Sequence, residues 1–185
     1  MSAQACGRRS AVVGAALTLL VAGCSTTVTG RPTSTSPSTP PASSEESTVS
    51  TPLADRPSSA TVSATYDQMQ ADIRTAVTAA APSVVWKLRH EPGAAGCDGD
   101  LAGQGGRTAF LQPWGAPGPI SDEQWPAVVT AVNTAIASYE FGALSPIADQ
   151  PADHLAEAVG PYGATVEIGT GKNVILSVIT GCHPE

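Results

Sequence analysis

Four residues near the N-terminus carry the clearest chemical signal of this sequence: Val21-Ala22-Gly23-Cys24. They close an apolar stretch, Ala11 to Val21, that itself follows Arg8 and Arg9. A positive start, a short apolar segment, small residues and then a cysteine form the pattern of a bacterial lipoprotein leader. The chemistry is thioether formation: the cysteine thiolate is the nucleophile, and a diacylglycerol is the group it receives. Small Gly23 lets a signal peptidase approach the backbone. The apolar run is about eleven residues, short of the roughly 20 that a spanning helix needs. Cleavage would make Cys24 the mature N-terminus, and anchoring by more than one acyl chain is stable. No Phe-Leu pair follows Arg8-Arg9, which favours ordinary secretion over twin-arginine export. Cys6 is discarded with the leader.

With Cys6 removed and Cys24 lipidated, Cys97 and Cys182 remain. An even pair in an exported protein reads as one disulfide. It would pin the C-terminus to the loop holding Cys97 and close a loop of about 85 residues. The wide separation excludes a Cys-x-x-Cys redox pair. Cys182 and His183 would make half of a zinc site, with no further ligands nearby, so no metal is expected.

Other polar groupings are weaker. Cys97-Asp98-Gly99-Asp100 offers two carboxylates on a loop, without the alternating oxygen pattern of a calcium loop. Gly103-Gln104-Gly105-Gly106 lacks the lysine of a phosphate loop and precedes a strand. Asp153-His154 is half of a proton relay, with His90-Glu91 as a distant complement and Ser145 or Ser177 as nucleophiles. No serine stands in a Gly-x-Ser-x-Gly elbow. No catalytic residue is therefore assigned and no cofactor is implied. Trp86, Trp114 and Trp125 pack in a core or, where they converge, form one wall of an apolar groove.

These residues need elements to hold them. Residues 1–23 are the leader, 24–60 a Ser/Thr/Pro-rich tether, and 61–185 a single folded domain. The tether has almost nothing to bury and cannot offset its ordering entropy. As a coil it would average roughly 35 Å end to end. Losing Arg8 and Arg9 takes the net charge from −7 to −9, so nucleic acid is excluded as a partner. The same charge leaves the lipid, not a basic patch, to hold the membrane.

Thr65-Tyr66-Asp67-Gln68 reads as a capping box, and Tyr66, Met69, Ile73, Val77 and Ala80 then form one helical stripe stopped by Pro82. Residues 84–89 alternate as a strand, 92–106 form a Gly-rich loop, and 108–114 form a second strand. Ser121-Asp122-Glu123-Gln124 is another capping box. It precedes a helical face of Trp125, Val128, Val129, Val132, Ile136 and Tyr139, ended by Gly142. Residues 154–159 suit helix or strand, with strand favoured by the turn at 160–163. Residues 164–168 alternate, and Val174 to Thr180 read as a central strand covered on both faces, or nearly so. The order implies an α+β domain: an antiparallel sheet of about four to six strands with two helices packed on it.

The chain resembles the mycobacterial LppA-like lipoproteins. The resemblance rests on the lipobox Val21 to Cys24, the Ser/Thr/Pro tether and the tryptophan-bearing middle. It rests most on the ending, Gly163-Ala164-Thr165-Val166-Glu167-Ile168-Gly169-Thr170, then Val174 to Thr180 and Gly181-Cys182. It implies an actinobacterial envelope lipoprotein, lipid-anchored on the extracytoplasmic face, with Cys97 bridged to Cys182. It supplies no catalytic residues. The expected function is a displayed, non-enzymatic domain that binds an envelope protein, a wall component or a small apolar ligand. The alternative is an envelope hydrolase built on His154, Asp153 and His90.

Overall fold

The structure is a computed structural model and describes residues 51–185; Cys24 and its expected lipid lie outside the described residues. Helix α1 spans Ser59–Ala80. Its cap is Ser58, whose hydroxyl accepts the Thr61 N–H at 3.3 Å. The expected cap at Thr65 lies inside the helix, where its hydroxyl donates to the Thr61 carbonyl. The earlier start follows from Val62, which stands four residues before Tyr66 and continues the apolar stripe. The end of the expected tether belongs to the fold as well. Leu53–Asp55 form a 3-10 turn, Leu53 and Arg56 are buried, and Arg56 Nη1 donates to the Cys182 carbonyl at 2.9 Å.

The remaining elements are β1 (Lys87–Leu88), β2 (Gly93–Gly96), β3 (Gly106–Phe110), β4 (Trp114–Pro117), α2 (Trp125–Ala137), β5 (Ser145–Gln150), β6 (Asp153–Val159), β7 (Thr165–Thr170) and β8 (Asn173–Pro184). The sheet is antiparallel and has eight strands, not four to six. Three local rules explain the difference. Gly-Ala-Ala-Gly has no intrinsic strand preference, yet β2 pairs with β3 along its whole length. Pro146 argues against a strand, but β5 is the outer edge, where a missing N–H is tolerated. The single strand expected over 108–114 divides in two, because Leu111 turns its N–H to Val178 and Pro113 has no N–H to offer. The expected strand over 84–89 shortens to β1, which pairs only at Lys87 and Leu88.

Ser121 caps a turn just ahead of α2, accepting the Gln124 N–H at 3.3 Å. Pro126 sits in the first helical turn, where its missing N–H costs little. The helix ends at Ala137 and not at Gly142: Glu140 takes the left-handed backbone at φ 64, and Gly142 donates to the Val159 carbonyl instead.

Strand β8 is the spine. One edge pairs with β7; the other pairs first with β4 and then with β3. Both helices pack on one face. Met69, Ile73 and Val77 of α1 and Val128, Val132 and Ile136 of α2 meet Val166, Ile168, Val174, Leu176 and Val178. The opposite face is open in the first half of β8, where Ile175 is 38% exposed, so that half is covered on one face only. From Thr180 to His183 every residue is buried.

Cys97 and Cys182 are bridged, with Cα atoms 5.5 Å apart. Cys182 lies inside β8 rather than after it. Gly106 makes room for the bridge: a Cβ there would stand 2.7 Å from Cys97 Sγ and 2.9 Å from Cys182 Sγ. Loop-closure entropy puts the bridge at about 4–5 kcal/mol, an upper figure because enthalpic effects intervene. A Cys97→Ser, Cys182→Ser double variant should therefore lose about 2–5 kcal/mol in urea unfolding. An unchanged unfolding midpoint would contradict a stabilising bridge.

Candidate functional site

The sequence-predicted residues do not assemble into one centre. His154 faces the helices from β6 and is 7% exposed. Its Nδ1 lies 2.7 Å from Asp149 and its Nε2 3.0 Å from Asp122, and its ring stacks on Trp125 at 5.1 Å. Asp122 also accepts the Ala152 N–H at 2.7 Å. The cluster clamps the β5–β6 hairpin to the turn before α2. Both ring nitrogens are engaged, so neither is open to a substrate proton. Asp153, the neighbour singled out in the sequence, is not the partner. His90 is exposed and contacts the Glu91 carbonyl. Ser145 starts the edge strand β5, and Ser177 lies on the open face of the sheet, opposite Glu167. Among the described residues no group of His, Cys, Asp or Glu could hold a metal ion.

The tryptophans divide as well. Trp86 Nε1 donates to the Arg74 carbonyl, and the Arg74 guanidinium lies 3.6 Å over the Trp114 ring. These two meet through Arg74 at the core's margin, whereas Trp125 turns to His154. The tryptophans pack in and against the core, one of the two arrangements open to them, and do not converge on a groove wall.

A groove exists elsewhere, and tyrosines line it. Tyr66, Tyr139 and Tyr162, the only tyrosines of the chain, border one cavity of about 450 Å³. Thr61, Thr65, Ser138 and Glu140 also line it, with Pro57, Val62 and Pro161. At Glu140, Pro161 and Tyr162 it adjoins a wider cleft of about 920 Å³ that reaches Arg56, Asp98 and Asp100. An apolar cavity of this size with a few convergent polar groups has the build of a ligand site.

Three separate segments supply the tyrosines. Tyr66 comes from α1, is 5% exposed, and meets Phe141 edge to face at 5.3 Å. Tyr139 follows α2 and donates to the Asp72 carboxylate at 2.6 Å. Tyr162 stands in the turn before β7 in the left-handed conformation, φ 58 and ψ 22. Strained backbone costs about 1–3 kcal/mol per residue and persists only where the surroundings enforce it. Here they do. Arg56 lies 5.1 Å over the Tyr162 ring, His183 meets it edge to face at 5.2 Å, and Gly181 lies directly beneath its backbone. A Cβ on Gly181 would fall onto the Tyr162 carbonyl.

The electrostatics follow the contacts. The Asp72 carboxylate pushes the Tyr139 hydroxyl up to about 12, because it accepts that proton's hydrogen bond. Burial raises Tyr66, and the nearby Glu140 charge and Tyr162 raise it further. His183 is wholly buried and contacts the Pro57 carbonyl through Nδ1. Burial holds its pKa below the usual range, so it serves as a neutral prop for Tyr162. Sequence reading missed the groove because Tyr66 and Tyr139 sit on apolar stripes and read as core. No local spacing links positions 66, 139 and 162.

Comparisons place this architecture. A family model named LppA, described as a lipoprotein confined to pathogenic Mycobacterium, matches residues 34–185. The crystal structure of the lipoprotein LppA from Mycobacterium tuberculosis is similar, with a TM-score of 0.61 and 18% identity. The match covers 71% of this chain and 80% of that one. A DUF4853 family protein from Actinomyces odontolyticus has a TM-score of 0.56 and 18% identity, over 74% of each chain. At this identity the two structures show a shared fold. No curated protein matches the sequence.

Two predictions follow from the geometry. Burial works against the His154 charge, but the carboxylates of Asp122 and Asp149 outweigh it and raise the pKa. A raised folded-state pKa gives stability that is full below about 6.5, the unfolded value, and lost as pH rises through the folded one. Melting temperature should therefore fall as pH climbs through and above neutrality, and His154→Gln should flatten that limb. A parent melting curve as flat as the variant's would refute the clamp. Gly181→Ala should cost about 1–3 kcal/mol and shift the Tyr162 resonances; unaltered resonances would show that the turn is not seated on Gly181.

Proposed function

The chain belongs to the LppA family of lipoproteins, and on that premise we propose an envelope lipoprotein, anchored through a diacylglyceryl Cys24, whose folded domain binds a ligand in the tyrosine groove without turning it over. The observation that carries this reading is the convergence of all three tyrosines on one cavity. Tyrosine suits recognition: it offers a large apolar face with a polar tip and few rotatable bonds to freeze. The left-handed Tyr162 adds to the case, since strain held in place by Arg56, Gly181 and His183 is common at binding sites. The hydrolase alternative loses its best base, because both nitrogens of His154 already contact carboxylates.

Fragment screening of the mature chain by amide chemical shifts tests the groove. Binders should perturb Thr61, Thr65, Ser138 and Tyr162. Tyr162→Asn, a residue that tolerates the left-handed backbone, should weaken them about tenfold. Perturbations confined to other surfaces would overturn the assignment. The anchor has its own test: Cys24→Ser should release the protein from the membrane fraction, and full retention would argue against lipidation.

A further inference from the structure

The tyrosine groove holds polar groups for which the fold provides no partner. Tyr66 is almost wholly buried, yet its hydroxyl makes no hydrogen bond to any described residue. It is not sealed off either. Among the described residues the buried side-chain atoms without partners are Gln70 Nε2 and His183 Nε2, and Tyr66 Oη is not among them. The opening available to it is the groove that Tyr66 lines. The hydroxyl of Tyr162 is likewise without a protein partner among the described residues. So is the carboxylate of Glu140, an exposed residue of left-handed backbone that lines the groove. That carboxylate is close enough to Tyr66 to act on its titration.

From this juxtaposition of three tyrosines and a carboxylate that forms no ion pair among the described residues we propose that the groove receives an alkylammonium group. The proposal rests on the reading of the groove as the ligand site. Aromatic faces carry negative potential and attract a cation within about 6 Å, most strongly where water is excluded. Glu140 supplies the counter-charge. Tyr66 and Tyr162 add hydroxyls that have no hydrogen-bond partner among the described residues, and Asp72 leaves the Tyr139 ring electron-rich by accepting its proton's hydrogen bond. The fold contains its own precedent, since Tyr162 already takes a cation, the Arg56 guanidinium, at 5.1 Å. The adjoining cleft adds Asp98 and Asp100. The carboxylates of Asp98, Asp100 and Glu140 outnumber the one guanidinium of this cleft, Arg56, so its lining favours a cation over an anion. A cavity of about 450 Å³ has room for the ammonium head and several carbons of its chain.

The test uses the mature chain and small probes followed by chemical shifts. The probes are choline, the lysine side chain as its N-acetyl amide, and the uncharged isostere of choline in which carbon replaces nitrogen. At least one ammonium should bind in the groove about tenfold tighter than the isostere. Its affinity should fall with added salt and in Glu140→Gln. Glu140→Asn, which suits the left-handed backbone, serves as a second variant that removes the charge without adding backbone strain. Preference for choline assigns a quaternary head, and preference for lysine assigns the side chain of a peptide; both support the class. If the isostere binds in the groove as tightly as choline and Glu140→Gln changes nothing, the groove is a site for neutral ligands and this inference fails alone. If neither these probes nor screened fragments touch the groove, the binding-site reading falls with it.

Discussion

A strand buried in the middle of a sheet must satisfy both rows of its backbone N–H and C=O groups, and the twelve-residue β8 imposes that demand on the whole domain. No single neighbour is long enough to meet it. β7 serves one edge, while β4 and β3 divide the other, with a shift of register where Phe110 pairs Ile179. The division explains why the middle of the chain breaks into short strands, and why Leu111 reaches Val178 between them. The two helices then cover the only apolar face that β6, β7 and β8 present together.

The far end of β8 is where structure turns into site. Gly106 and the Cys97–Cys182 bridge pin this end from one side. Arg56 reaches across to the Cys182 carbonyl, and Gly181 leaves space for the backbone of Tyr162. The same arginine lies over the Tyr162 ring. The covalent tie, the close backbone approach and the strained tyrosine therefore form one continuous set of contacts. Stability at this end and the shape of the groove are not separable.

Charge is used differently at the opposite end of the helical layer. His154 takes two carboxylates and an aromatic face, all from its own chain. A histidine satisfied on both nitrogens is a fastener. The groove acids differ: Asp98, Asp100 and Glu140 line cavities and form no ion pair among the described residues. In an acidic domain with few cations, that contrast separates acids spent on the fold from acids still open to a ligand.

Sequence by itself determined whatever depends on neighbours along the chain. The apolar stripes of both helices, the alternation of β7, the apolar run of β8 and the pairing of Cys97 with Cys182 were legible, because side-chain period and cysteine count are local or compositional facts; residues 154–159, which suit helix and strand alike, became β6 through their pairing with β5 and β7. Tertiary structure decided what depends on distant partners. Gly93–Gly96 became a strand because β3 offered it hydrogen bonds, and Ser145–Gln150 because an edge tolerates Pro146. Asp122 and Asp149, not Asp153, met His154, since adjacent residues on a strand point to opposite faces. Tyr66, Tyr139 and Tyr162 became one wall only after two helices and a turn closed around them. Their spacing in the chain carries no period, and only folding could bring them together.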